Sequence, residues 1–159
     1  MKRVVISFVL GVVAGAVLLA VVGYNGAADM MIMEDVSSLG FDETVKQVEE
    51  SAKTAGWMVP AVHTISKSVA KKGYDVRPVT VVELCSPELA GRILDGSDDR
   101  RVTPMMPCRI AVYENESGEV VVARMNSGLM SRIFGATVSE IMGVAAAENE
   151  EILQPVIAR

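Results

Sequence analysis

The chain is poor in the groups most enzymes work with. It has one histidine, two cysteines, and few aromatics: one tryptophan, three tyrosines and three phenylalanines in 159 residues. No serine sits in a Gly-x-Ser-x-Gly elbow, and a single His63 leaves a nucleophilic triad without support. Neither a P-loop nor a dinucleotide-binding glycine fingerprint is present. No Cys-x-x-Cys occurs, so thioredoxin-type exchange gains no support. Positive charge is scarce as well, with 15 Lys and Arg against 20 Asp and Glu. Phosphate recognition needs clustered cations, so nucleic acid is not an expected partner, and anionic lipid headgroups are repelled too. Conventional catalysis therefore finds little footing.

What the chain does have is one long apolar run. From Val4 to Gly23 no residue is charged, and Ser7 is the only polar side chain. As a helix it spans roughly 30 Å, about the hydrocarbon thickness of a bilayer. Lys2 and Arg3 precede it, and Asp29, Glu34 and Asp35 follow. That asymmetry keeps the start cytoplasmic and places the remainder outside the cytoplasmic membrane. Gly26-Ala27-Ala28 resembles a cleavage site, so a removed signal peptide is the competing reading. The run exceeds the usual signal core of about 7–15 residues, which favours an uncleaved single-pass anchor. Residues 1–28 are accordingly read as anchor or uncleaved signal, and 29–159 as a periplasmic or extracytoplasmic domain. Ser7, Gly11 and Gly15 recur every fourth residue, a small-residue face that suits helix pairing and a homodimer.

Within the domain, Asp29 to Ser38 is a connector that becomes a first strand. Asp42 is placed to cap a helix whose apolar stripe is Val45, Val48, Ala52 and Ala55, with Gly56 at its left-handed stop. Trp57 to Ser66 reads as a strand, with Pro60 marking an edge or bulge, and Ser66 to Lys72 as one helical turn. Val79 to Leu84 is a β-branched strand, after which Ser86 caps a short helix with Pro87 at its first position. Ser97 to Pro107 is irregular. Cys108 to Glu114 and Glu119 to Met125 form a hairpin across Asn115-Glu116-Ser117-Gly118. Thr137 and Glu140 suggest a capping box for a last helix with Val138, Ile141, Ala145 and Ile152 on one side. The expected fold is α+β: an antiparallel sheet of about five strands with helices on one face, in the order β-α-β-β-α-β-β-α.

Two blocks carry a resemblance. Val82-Glu83-Leu84-Cys85-Ser86-Pro87 with Leu89-Ala90 and Ile93-Leu94, and Pro107-Cys108-Arg109-Ile110-Ala111-Val112-Tyr113-Glu114 with Met125-Asn126-Ser127, resemble domain of unknown function family 302. The likeness runs from about Gly40 to Leu153. It implies a fold similar to the TATA-box-binding-protein arrangement, a curved antiparallel sheet with packed helices. It brings no activity, no catalytic residues and no DNA binding, because function belongs to sites rather than folds.

Candidate chemistry gathers at the cysteines. Cys85 ends one strand and Cys108 begins the next, so antiparallel neighbours bring both to one end of the sheet. Outside the cytoplasm such thiols are prone to oxidise, and a bridge here contributes roughly 3–4 kcal/mol. Two separate buried thiols, or a redox or metal-binding pair, are the other readings. Met105, Met106 and Cys108 crowd one loop, with Met30, Met31, Met33 and Met125 able to approach, a donor set that suits copper(I). Methionines filling irregular core gaps is the blander account. His63 as a haem or metal ligand lacks a partner at suitable spacing. Glu49-Glu50 and Glu148-Asn149-Glu150-Glu151 read as solvated helix faces, and Asp98-Asp99 beside Arg100-Arg101 as a self-compensating polar loop. The leading expectation is a membrane-tethered binding or assembly module with a small ligand or protein partner. The alternative is a redox or soft-metal protein using Cys85 and Cys108.

Overall fold

The computed structural model describes residues 2–96 and 98–158, apart from the side chains of residues 2–10, 14, 22, 24, 25 and 28. The chain divides into two compact units, Met1–Met31 and Ile32–Arg159.

The first unit is a single helix, α1 (Lys2–Met31), which runs three residues past the expected boundary at residue 28. Val12, Val13, Val17, Leu18, Leu19 and Val21 are all exposed along it. A methyl group added at Gly11 or Gly15 meets nothing within 4 Å. Much of the expected anchor, Ser7 included, lies outside the described side chains. Over the described residues no helix is long and apolar enough to cross a membrane.

The second unit is an α+β domain. Its strands are β1 (Ile32–Val36), β2 (Val62–Thr64), β3 (Val79–Leu84), β4 (Cys108–Glu114) and β5 (Val120–Met125). They form one antiparallel sheet in the order β1-β5-β4-β3-β2. The register aligns Val82, Ile110, Arg124 and Met33 in one cross-strand row. Because side chains alternate across a strand, the whole row faces one side. On that side Val82, Leu84, Ile110 and Val122 pack against Val48 and Ala52 of α2 (Phe41–Thr54). Leu89 and Ile93 of α4 (Pro87–Leu94) join them, as do Ile141, Ile152 and Leu153 of α6 (Ala136–Leu153). Each such fully buried aliphatic side chain contributes about 1.5–3 kcal/mol. Short helices α3 (Ile65–Ala70) and α5 (Ser127–Met130) and a 3₁₀ turn over Asp99–Met105 complete the connections.

Several local expectations hold for the reasons given. Ser86 caps α4, its Oγ accepting from the Leu89 N–H at 3.4 Å, with Pro87 next. Asn115 Oδ1 accepts from the Ser117 and Glu119 N–H groups, and Gly118 supplies φ +82 to close the hairpin. Others are corrected. Asp42 lies inside the first turn of α2, where it complements the helix dipole, and the cap is Gly40, whose carbonyl accepts from Thr44. Thr137 is likewise inside α6; Gly135 is its cap at φ +106, so no capping box forms. The strand expected over Trp57–Ser66 shrinks to three residues, since β2 is a sheet edge.

Candidate functional site

Leu84, the last residue of β3, is the register partner of Cys108, the first of β4. Cys85 follows immediately and bridges instead to Met58, with N–H···O distances of 2.9 and 2.8 Å. Both cysteines are free thiols. Of the three expected readings, a bridge, two separate buried thiols, or a redox or metal-binding pair, this arrangement shows the thiols unbridged, with Cys108 opposite Leu84 and Cys85 one position beyond. The topology nonetheless brings both to one end of the sheet, as the strand order anticipated. They line a common apolar pocket with Trp57, Leu89, Met106 and Met142. The cavity between them is small, about 30 Å³. Trp57 is held by its Nε1–H, which donates to Glu148 Oε2 at 2.7 Å. Burial pushes the Cys108 thiol above its ordinary pKa; a hydrogen bond with Asn149 pulls against this, and the nearby Cys85 adds to it.

The methionines divide. Met106 lines the cysteine pocket, whereas Met105 and Met125 share with Cys108 a small neighbouring recess that also includes Asn149 and Arg124. Met33 lines an adjoining groove together with Met125, Arg124 and Asn149, and Met30 and Met31 belong to α1. Among the described residues no three His, Cys, Asp or Glu side chains gather closely enough to hold a metal ion.

His63 has a partner the spacing did not suggest. Across β2 and β3 its Nε2 lies 3.4 Å from Glu83 Oε1, and Arg109 Nε donates to the same oxygen at 3.3 Å. On the same outer face Tyr113 donates to Glu34 at 2.6 Å. That hydrogen bond, aided by partial burial and the carboxylate charge, raises the Tyr113 pKa to about 12.

A second cluster went unrecognised in the sequence. Arg124 sits in a core-facing row of β5 yet is only 6% exposed. Its Nε and Nη2 donate to the two carboxylate oxygens of Glu150 at 2.9 and 2.5 Å, and its Nη1 donates to Asp35. Desolvation alone lowers the Arg124 pKa, but the bonds to Glu150 and Asp35 outweigh it and leave the value raised. Beside it on α6, Asn149 is 6% exposed. The expected solvated face Glu148-Asn149-Glu150-Glu151 is therefore corrected: Glu148 anchors Trp57, Asn149 is buried, and Glu150 clamps Arg124. Glu49 and Glu50 do behave as a solvated face, pairing with Lys53 and Lys46 along α2.

The sequence family described as domain of unknown function DUF302 matches residues 33–159, beginning just after α1. A solved structure, the uncharacterized conserved protein DUF302 from Bacillus stearothermophilus, superposes with a TM-score of 0.72 at 23% identity. The match covers 79% of this chain and 98% of that one, so the likeness of fold spans nearly all of that protein. No curated protein matches the chain.

Proposed function

The chain belongs to the DUF302 family, and we propose that it is a membrane-tethered, extracytoplasmic binding or assembly module whose site is the pocket at the cysteine end of the sheet. The observation carrying this reading is the lining. Trp57, Leu84, Leu89, Ile93, Ile141 and Met142 form apolar walls around a narrow cavity of about 30 Å³, well below the usual ligand-pocket size of about 300–1,000 Å³, so it suits the tip of one apolar group rather than a whole ligand. Such walls recognise the end of a small apolar molecule, or the apolar side chain of a partner, by removing it from water. The tether is supported by the uncharged run Val4–Gly23 and the basic pair before it, and Gly11 and Gly15 supply a face on which two such helices can approach.

A second reading rests on another feature of the same pocket: two thiols, Cys85 and Cys108, share it with the thioethers of Met106 and Met142. Soft sulfur donors favour copper(I), and paired thiols are open to oxidation.

The two are separated on the full chain, extracted from membranes without reductant and examined by native mass spectrometry with metal analysis. A co-purifying organic mass that disappears in Ala90→Phe, which fills the pocket, supports the binding module. Stoichiometric copper lost in Cys85→Ser, or a reversible two-dalton change between the thiols, overturns it in favour of the second reading. Recovery of the chain in the soluble fraction defeats the tether.

A further inference from the structure

A cleft of ligand size lies away from the cysteines. Helix α2 packs over β3 and β4, and beside its first two turns an open cleft of about 530 Å³ reaches the β2 edge of the sheet. Ligand pockets usually measure about 300–1,000 Å³, a range that holds this cleft and not the cysteine cavity. Its floor is the sheet. Thr64 is the register partner of Thr80, and Thr80 of Val112. Alternation along the strands therefore puts Val62, Thr64, Pro78, Thr80 and Glu114 on the side that carries the helices. Phe41 and Val45, one turn apart on α2, and Lys67 of α3 complete the lining that matters here.

The polar groups of this lining are unspent. Thr80 is only 4% exposed, and among the described residues its hydroxyl has no hydrogen-bond partner. The hydroxyl is not sealed off either, because the one side-chain polar atom there that is both fully buried and unpaired is Asn149 Oδ1. The surface that Thr80 keeps opens on the cleft it lines. Interiors leave few polar groups unpaired, so a hydroxyl this deep marks a place for an incoming partner. Glu114, half-buried at the end of β4, has no ion pair or hydrogen bond for its carboxylate among the described residues. The charged groups of Asp42 and Lys67 are equally uncommitted there. Lys46 and Glu49, by contrast, are taken up by Glu50 and Lys53 along α2.

The uncommitted groups carry two negative charges and one positive, which disfavours an anion and suits a ligand bearing both signs. Glu114 and the Thr80 hydroxyl can accept N–H bonds, and the Lys67 ammonium can donate to a carboxylate. Phe41, Val45, Val62 and Pro78 add apolar surface for an aliphatic chain. We propose that this cleft binds a free aliphatic α-amino acid as its zwitterion, with Glu114 and Thr80 receiving the ammonium and Lys67 the carboxylate. The site stands whether or not the cysteine cavity receives a ligand.

The test uses the full chain in detergent, ¹³C-labelled at the threonine methyl groups, titrated at constant ionic strength with L-leucine, L-leucinamide and N-acetyl-L-leucine. Leucine shifts the Thr64 and Thr80 methyl resonances saturably. Leucinamide, which lacks the carboxylate, and N-acetyl-leucine, which lacks the ammonium, bind at least tenfold more weakly. Glu114→Gln weakens leucine at least tenfold. Lys67→Met weakens leucine at least fivefold and leaves leucinamide unchanged, a split that general damage to the fold does not produce. Thr80→Val keeps the side-chain shape and weakens leucine about fivefold, read at Thr64, while urea unfolding stays as in the parent. No saturable shift with leucine leaves water as the partner of Thr80 and overturns the proposal. So do equal affinities for leucine and either analogue, undiminished binding in Glu114→Gln, or a destabilised Thr80→Val, which would give the hydroxyl a partner within the chain. A trileucine peptide that binds at least tenfold more tightly than leucine makes a peptide the occupant and overturns the free amino acid.

Discussion

Glu150 on the last helix receives the Arg124 guanidinium on both carboxylate oxygens, at 2.9 and 2.5 Å, and so fastens α6 to the row of β5 that faces it. Asp35 on the edge strand β1 holds the third nitrogen. Breaking a buried pair by deleting one partner costs about 3–5 kcal/mol, because a charge is stranded. Here the stranded charge retains a second carboxylate, and both carboxylates are some 40% exposed, so each single loss is milder. Glu150→Ala and Asp35→Ala are each expected to cost about 1–2 kcal/mol. The double variant costs about 3–5 kcal/mol, more than the sum, since only then is Arg124 alone in the interior. Urea unfolding of the four proteins measures this; strict additivity defeats the shared-clamp account.

That clamp shows where reading the sequence stops. Strands β3 and β4, the Ser86-Pro87 start of α4 and the Asn115–Gly118 hairpin were legible because each is fixed by neighbours a few residues away. The apolar stripe of α6 was legible too, through Val138, Ile141, Ala145 and Ile152, all of which are buried. Between Ala145 and Ile152 the same stripe passes through Asn149, and there a buried polar residue hid inside a charged tetrad. Its periodicity was the signal that could have found it. Nothing local, by contrast, marks Arg124 as buried: its partners lie 26 and 89 residues away, and the sheet order alone joins them. The pocket shared by Cys85 and Cys108 was foreseeable from strand order, but the offset that leaves them unbridged needed the register.

Cys108 yields a prediction about pH. Burial holds its pKa above the ordinary thiol value of about 8.5, and the Asn149 bond tempers the rise. In Cys85→Ser, where Cys108 is the sole thiol, iodoacetamide labelling of the folded protein should show a midpoint above about 8.5. Asn149→Leu moves it higher still. A thiol that holds its proton more tightly when folded contributes full stability below the unfolded pKa. That contribution is lost as pH rises through the folded value, so stability falls on the alkaline side and not the acid side. A labelling midpoint at or below that of unfolded Cys108 contradicts the burial described here.

Two helix caps make an internal control. Gly40 and Gly135 both precede helices without a side-chain cap, but Gly40 has φ −67 and Gly135 has φ +106. A methyl group meets nothing within 4 Å at either position, so packing does not distinguish them. Conformation does. An L side chain adopts the first backbone geometry freely, while the second is open almost to glycine alone and costs about 1–3 kcal/mol for any other residue. Gly40→Ala should therefore leave stability within about 0.5 kcal/mol, the range of an ordinary surface change. Gly135→Ala should lose about 1–3 kcal/mol while the far-ultraviolet circular dichroism of the folded state is retained. Thermal unfolding of the two variants side by side reads the difference. Equal losses would place the effect in the general cost of alanine at a cap, and the left-handed entry into α6 would then have no energetic role.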